Sequence, residues 1–262
     1  MKYLIILLFI WTTHAYNFSK NCGVSTTLGT AGCTPVKGEK RAIVPPGQMP
    51  WHVQVNITHK GVSKLLCSGV LITMKHILTA AQCLTVNNTI RPNDKIKIRA
   101  GSSLLNEGQF IKPKKISIHP NFTQILPLYI DTPLYEVDLA VVELEYEFNS
   151  SLNITPICLP LHENIIKDKD LVIVSGWTTT FDEDNLGGDY FSPGYFFKVH
   201  NNLRREALRV IARNATLCKF SYSNGTITPG EDFFCAVNTH IDPYMDLYQG
   251  SEDPCTGEMG GP

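Results

Sequence analysis

LLCSGVLITMKHILTAAQC, residues 65 to 83, holds two strand-length apolar runs, LLCSGVLI and the ILTA inside HILTAAQC, each close to a cysteine. Working outward, the same texture repeats. WHVQVNI (51–57) alternates apolar and polar residues. KIKIRAG (95–101), KKISIHP (114–120), DLAVVEL (138–144) and DLVIVSGW (170–177) are rich in Val, Ile and Leu and are bounded by Gly, Pro, Asn or Asp. Many short strands separated by turn signals predict an all-β barrel or sandwich. One segment breaks the pattern. In LRREALRVIARNATLC, Leu203, Ala207, Leu208 and Ile211 lie near helical spacing, which predicts a short helix over about 203–213. FDEDNLGGDYFSPGYF (181–196) reads as an exposed loop, and no internal repeat is present.

The bulk numbers exclude some classes. With 23 basic and 24 acidic residues the net charge is −1, which gives no electrostatic footprint for nucleic acid or an anionic membrane. MKYLIILLFIWTTHA (1–15) has Lys2, a short apolar run and a small residue at Ala15, the pattern of a secretory signal peptide. The run is too short for a bilayer span, which needs about 20 residues. Eight cysteines fit a disulfide framework in an oxidising compartment, and no C-x-x-C pair suggests a metal site. No cofactor is expected. Eight Asn-x-Ser/Thr sequons, at Asn17, Asn56, Asn87, Asn121, Asn149, Asn153, Asn214 and Asn224, predict glycosylation of several and a surface position for those segments.

Six short motifs then fall in one order: HILTAAQC (76–83), VDLAVVEL (137–144), PICLP (156–160), VSGW (174–177), DFFCAV (232–237) and DPCTGEMGGP (253–262). Together they resemble the landmarks of the trypsin-like serine proteases. That family reads Leu-Thr-Ala-Ala-His-Cys at the first and Cys-x-Gly-Asp-Ser-Gly-Gly-Pro at the last. The resemblance implies a chymotrypsin-like fold of two antiparallel β-barrels, here about 42–160 and 161–262, behind a leader over 16–41. In such enzymes a serine attacks the peptide carbonyl, a histidine takes its proton, and an aspartate fixes the histidine.

Residue by residue, this chain departs from that pattern. Asp138 matches the aspartate. Gln82 stands in the histidine position, and an amide does not titrate near neutral pH, so it is no base. Met259 stands in the serine position, and a thioether has no proton to lose. His76 lies six positions before Gln82 and reads, like the other histidines, as structural. The family's oxyanion hole maps onto the backbone N–H groups of Gly257 and Met259. Asp253 matches the acid that pairs with a substrate Lys or Arg, and equally reads as an exposed acid beside Glu252.

Activation in the family cuts after a basic residue and pairs the new terminus with an acid next to the serine. KRAIVPPGQMPW (40–51) offers Arg41, with Ala42 as new terminus and Glu258 as the acid, but Pro45 and Pro46 replace the usual glycines. The resemblance implies disulfides Cys67–Cys83, Cys218–Cys235 and Cys22–Cys158, leaving Cys33 and Cys255. It also implies further strands after Gly-Gly-Pro, so a chain ending at Pro262 is expected to have an incomplete second barrel. The expectation is a secreted, catalytically inactive protease homologue that binds proteases, protease inhibitors or peptide segments. The alternatives are a serine endopeptidase of trypsin-like preference and a truncated product without function.

Overall fold

In the computed structural model the described residues are 22–25, 42–59, 62–86, 89–125, 134–160, 166–177, 179–181, 197–199, 201–212, 220–222, 225–227 and 235–238. In chain order they form β1 (Ala42–Ile43), β2 (His52–His59), β3 (Val62–Thr73), β4 (His76–Thr79), the one-turn helix α1 (Ala81–Leu84), β5 (Thr85–Val86), β6 (Thr89–Ile90), β7 (Ile96–Ala100), β8 (Gln109–Ile111) and β9 (Pro113–Ile118). There follow β10 (Thr123–Ile125), β11 (Leu134–Glu136), β12 (Ala140–Leu144), β13 (Leu171–Gly176), β14 (Thr179–Phe181), β15 (Phe197–Val199), β16 (Arg204–Ala212), β17 (Phe220–Tyr222), β18 (Gly225–Ile227) and β19 (Cys235–Asn238). This is an all-β, chymotrypsin-like architecture. No helix among the described residues is long and apolar enough to cross a membrane.

The apolar phases of the strands build one main core. Seven strands pair antiparallel in the order β8-β7-β2-β3-β4-β12-β9 and curl into a half-barrel. Their alternation is direct: Ile96, Ile98 and Ala100 are buried while Lys97 is exposed, and Ala140, Val142 and Leu144 are buried on β12. Val53, Val55, Ile57, Leu71 and Ile77 join the same cluster. Each such side chain contributes about 1.5–3 kcal/mol by leaving water. Gly69 on β3 meets the core at close range. A Cβ there would stand 2.9 Å from Ile77 Cγ2 and 3.0 Å from Val53 Cγ2.

β2 departs from a half-wet strand. Its polar phase is buried as deeply as its apolar one: His52 and Asn56 are 3 % exposed and Gln54 is 1 % exposed. The loop after β7 covers this face. Gln54 Nε2 donates to Leu104 O at 2.9 Å and its Oε1 accepts from Asn106 N at 2.8 Å. Asn56 Nδ2 donates to Asn106 Oδ1 at 3.2 Å. The Asn56 sequon is therefore not on the surface, contrary to the expectation from sequence, because a second layer packs over the polar side of the strand.

A second sheet follows the order β1-β16-β13, with β19 also paired to β16. Here the helix expected over 203–213 is corrected: Arg204–Ala212 is a strand. β16 is paired with β13 from Leu171↔Arg209 to Gly176↔Arg204, with β19, and with β1. Backbone partners on both sides outweigh a local apolar spacing that also fits a helix, since intrinsic propensity is a weak prior beside tertiary pairing. Val44, Trp177 and Leu203 form a small core at the junction of the two sheets.

Two disulfides fasten this frame. Cys67–Cys83 ties β3 to α1 across 16 positions, and Cys22–Cys158 ties residues 22–25 to the segment after β12. The same short stretch also docks through Gly23 N to Pro156 O at 2.8 Å and Ser25 Oγ to Gln48 O at 2.9 Å.

Candidate functional site

β4 and β12 pair antiparallel with Ala140 opposite Thr79. Just beyond that rung, β4 turns into α1 and the chain leading into β12 carries Asp138. The pairing thus delivers Gln82 and Asp138 to one place from opposite directions. The Gln82 backbone N–H donates to Asp138 Oδ1 at 2.8 Å, and its side-chain Nε2 donates to Oδ2 at 2.6 Å. Cys83, next in line, is clamped to Cys67, so α1 cannot swing away.

The backbone before Asp138 is forced. Val137 has φ 47, a left-handed conformation that a β-branched residue rarely adopts and that costs on the order of 1–3 kcal/mol. Leu139 N bonds Val137 O at 2.7 Å, closing a tight turn centred on Asp138. Strand pairing and the Gln82 contacts hold that turn. Asp138 is half-buried, and this burial raises its carboxyl above the usual carboxylate range. The Gln82 backbone N–H, its amide and the Ala81 N–H pull the other way. No ionised partner faces it among the hydrogen bonds described.

A groove of about 460 Å3 is lined by Thr85, Ile90, Ile118, His119, Pro120, Phe122 and Thr123, with neither Gln82 nor Asp138 in its lining. Thr85 caps the C-terminus of α1, while His119 N bonds Leu139 O at 2.9 Å, next to Asp138. The groove therefore borders the elements that carry Gln82 and Asp138. Val86, Ile90 and Leu139 leave apolar surface exposed nearby.

Sequence reading missed a buried histidine. His52 Nδ1 lies 3.1 Å from Ser175 Oγ on β13, and its Nε2 lies 3.1 Å from Ser68 Oγ on β3. The ring meets Trp177 edge-on with centroids 5.0 Å apart. His52 thus bridges the two sheets, with one ring nitrogen donating and the other accepting. Burial lowers its pKa to about 3, so it stays neutral. Ser68 and Ser175 are both fully buried. A histidine in the polar phase of WHVQVNI was the available signal, but alternation alone does not tell a covered polar face from a wet one. His76 bonds Thr73 Oγ1 at 2.8 Å through Nδ1 at the β3–β4 turn.

The remaining sequence-predicted residues are scattered or beyond reach. Arg41, Asp253, Gly257, Glu258 and Met259 lie outside the described residues, as do Cys218 and the sequons Asn17, Asn87, Asn214 and Asn224. Cys235 opens β19. Ala42 sits in β1, opposite Arg205. Asn121, Asn149 and Asn153 are exposed.

Known proteins are similar to this chain in sequence. The trypsin family model matches residues 41–262. Coagulation factor IX of Oryctolagus cuniculus is 28% identical over 222 residues, covering 83% of this chain and 66% of that protein. Coagulation factor IX of Cavia porcellus is 28% identical over 223 residues, covering 83% and 63%. Limulus clotting factor C of Carcinoscorpius rotundicauda is 25% identical over 258 residues, covering 88% and 22%. The chain thus spans a little under two thirds of the length of the factor IX proteins and about a fifth of factor C. A family match that runs from residue 41 to Pro262, over an all-β frame of antiparallel sheets, places the chain in the trypsin family.

Proposed function

We propose that this chain is a secreted, glycosylated trypsin-family homologue that acts by binding and does not hydrolyse peptides. The observation that carries the reading is the Gln82 amide seated on Asp138 at 2.6 Å. In the family an imidazole occupies that place and takes the proton of the nucleophile. An amide hydrogen-bonded to the same carboxylate fills the geometry without supplying a base. Met259 at the family's serine position removes the nucleophile as well. Loss of such groups costs on the order of 10⁶ in turnover. The N-terminal apolar run, the disulfides and the coagulation-factor relatives support an extracellular setting. The partners of this reading are proteases, protease inhibitors or peptide segments that recognise a trypsin-like surface.

The contact between His52 and Ser175 favours a second reading, a serine hydrolase working through that pair. Three features weigh against it. The ring is neutral down to about pH 3, so it is a poor base. Both residues are buried from any peptide. The other ring nitrogen meets a serine rather than a carboxylate. Purified secreted protein, before and after cleavage at Arg41, is to be assayed against a library of fluorogenic peptides. The binding reading requires no turnover above buffer; turnover that His52→Gln abolishes would establish the second reading instead.

A further inference from the structure

We infer that Asn121 carries an N-linked glycan that covers the mouth of the groove beside Gln82 and Asp138. The inference rests on the secreted reading above and adds what that surface presents to a partner. His119, Pro120, Asn121 and Phe122 form a tight turn closed by Phe122 N to His119 O at 3.0 Å. Proline at the second position presets this turn. Asn121 stands at its tip, exposed, between the groove residues Pro120 and Phe122, without lining the groove itself. Its main chain is occupied: the N–H faces His119 Nδ1 and the carbonyl accepts from Thr123 Oγ1. Its side chain has no hydrogen-bond partner among the described residues. A sugar attached there lies outside the fold and over the rim.

Asn56 is the internal contrast. It has the same Asn-x-Thr pattern but is 3 % exposed in a central strand, with Nδ2 bonded to Asn106. A bulky polar oligosaccharide there would unseat the loop that packs on β2. In attachment, the Asn121 amide nitrogen bonds to the first sugar carbon of a lipid-diphosphate-linked oligosaccharide. That carbon's bond to the diphosphate breaks, and the lipid diphosphate departs while the amide loses a proton. The product places a hydrated sugar chain over Ile90, Ile118 and Phe122. Such cover hides exposed apolar surface and narrows what can approach Gln82 and Asp138.

The full chain, expressed in mammalian secretory cells and collected from the medium, is treated with peptide-N-glycosidase in heavy-oxygen water. Glycosylated asparagines are then read as labelled aspartates by peptide mass spectrometry. Conversion is expected at Asn121 and none at Asn56. Native protein is next titrated with the apolar dye bis-ANS before and after enzymatic trimming of its glycans. Trimming is expected to raise fluorescence. That rise is lost in Asn121→Gln and in Thr123→Ala, which removes the sequon by a different change, and is kept in Asn149→Gln. Conversion at Asn149 or Asn153 without Asn121 overturns the inference and leaves secretion standing. Absence of the protein from the medium overturns both. A trimming response unchanged in both Asn121→Gln and Thr123→Ala overturns the covering role.

Discussion

Acid should loosen this protein through His52, and the effect can be sized. The ring is buried between two sheets, held by Ser68 and Ser175, and its pKa falls from 6.5 to about 3. The unfolded chain therefore takes up this proton first as pH drops. Stability is full above the unfolded value and is lost progressively as pH falls from 6.5 toward 3. Each pH unit in that window costs about 1.4 kcal/mol, so roughly two units of acidification cost about 2.7 kcal/mol. That is a large share of the roughly 5–15 kcal/mol that holds a typical domain folded. Urea titrations of wild type and His52→Gln at neutral pH and at about pH 4.5 isolate the term, because glutamine does not titrate there. The variant is less stable at neutral pH, yet its loss on acidification is smaller by about 2–3 kcal/mol. Equal losses in the two proteins would refute the assignment of a neutral, buried His52.

Three further outcomes follow from other contacts. Gln82→His sets an imidazole against the Asp138 carboxylate, so the new ring titrates above the roughly 6.5 of a free histidine. Its contribution to stability is present at low pH and lost as pH rises through that raised value; ring titration by NMR at or below 6.5 would show that the two side chains do not meet. Cys67→Ser removes a crosslink across 16 positions, which costs about 3 kcal/mol by the loop-entropy estimate, read as the shift in a denaturant midpoint. Gly69→Ala drives a methyl to within 2.9 Å of Ile77 Cγ2 and 3.0 Å of Val53 Cγ2. It destabilises by about 1–3 kcal/mol in the same assay, and an unchanged midpoint would mean that β3 and the core are not packed this closely.

Much of the first sheet was legible because its strands follow the simplest code. Ile96, Ile98 and Ala100 alternate with charged residues, and Ala140, Val142 and Leu144 with Val141 and Glu143, so period two maps onto inside and outside. The contact of Asp138 with residue 82 was legible only through resemblance, since 56 positions separate them. β16 was misread because LRREALRVIA satisfies two periods at once, and only its neighbours β13, β1 and β19 select the strand. The polar face of β2 was misread for a related reason. Alternation locates a face but not what lies over it, and the covering loop lies far downstream, with Asn106 50 positions beyond Asn56. The buried Asn56 and the His52 bridge both stem from that one hidden layer.

Whether any serine in the folded chain is an activated nucleophile decides between binding and hydrolysis. Intact-mass analysis of the native purified protein, incubated with a serine-directed fluorophosphonate, answers this most directly. With Gln82 on Asp138 and His52 sealed between sheets, the mass stays unchanged after prolonged exposure. A stoichiometric adduct that disappears when the protein is unfolded beforehand would contradict the account, and the labelled serine would identify the catalytic centre in its place.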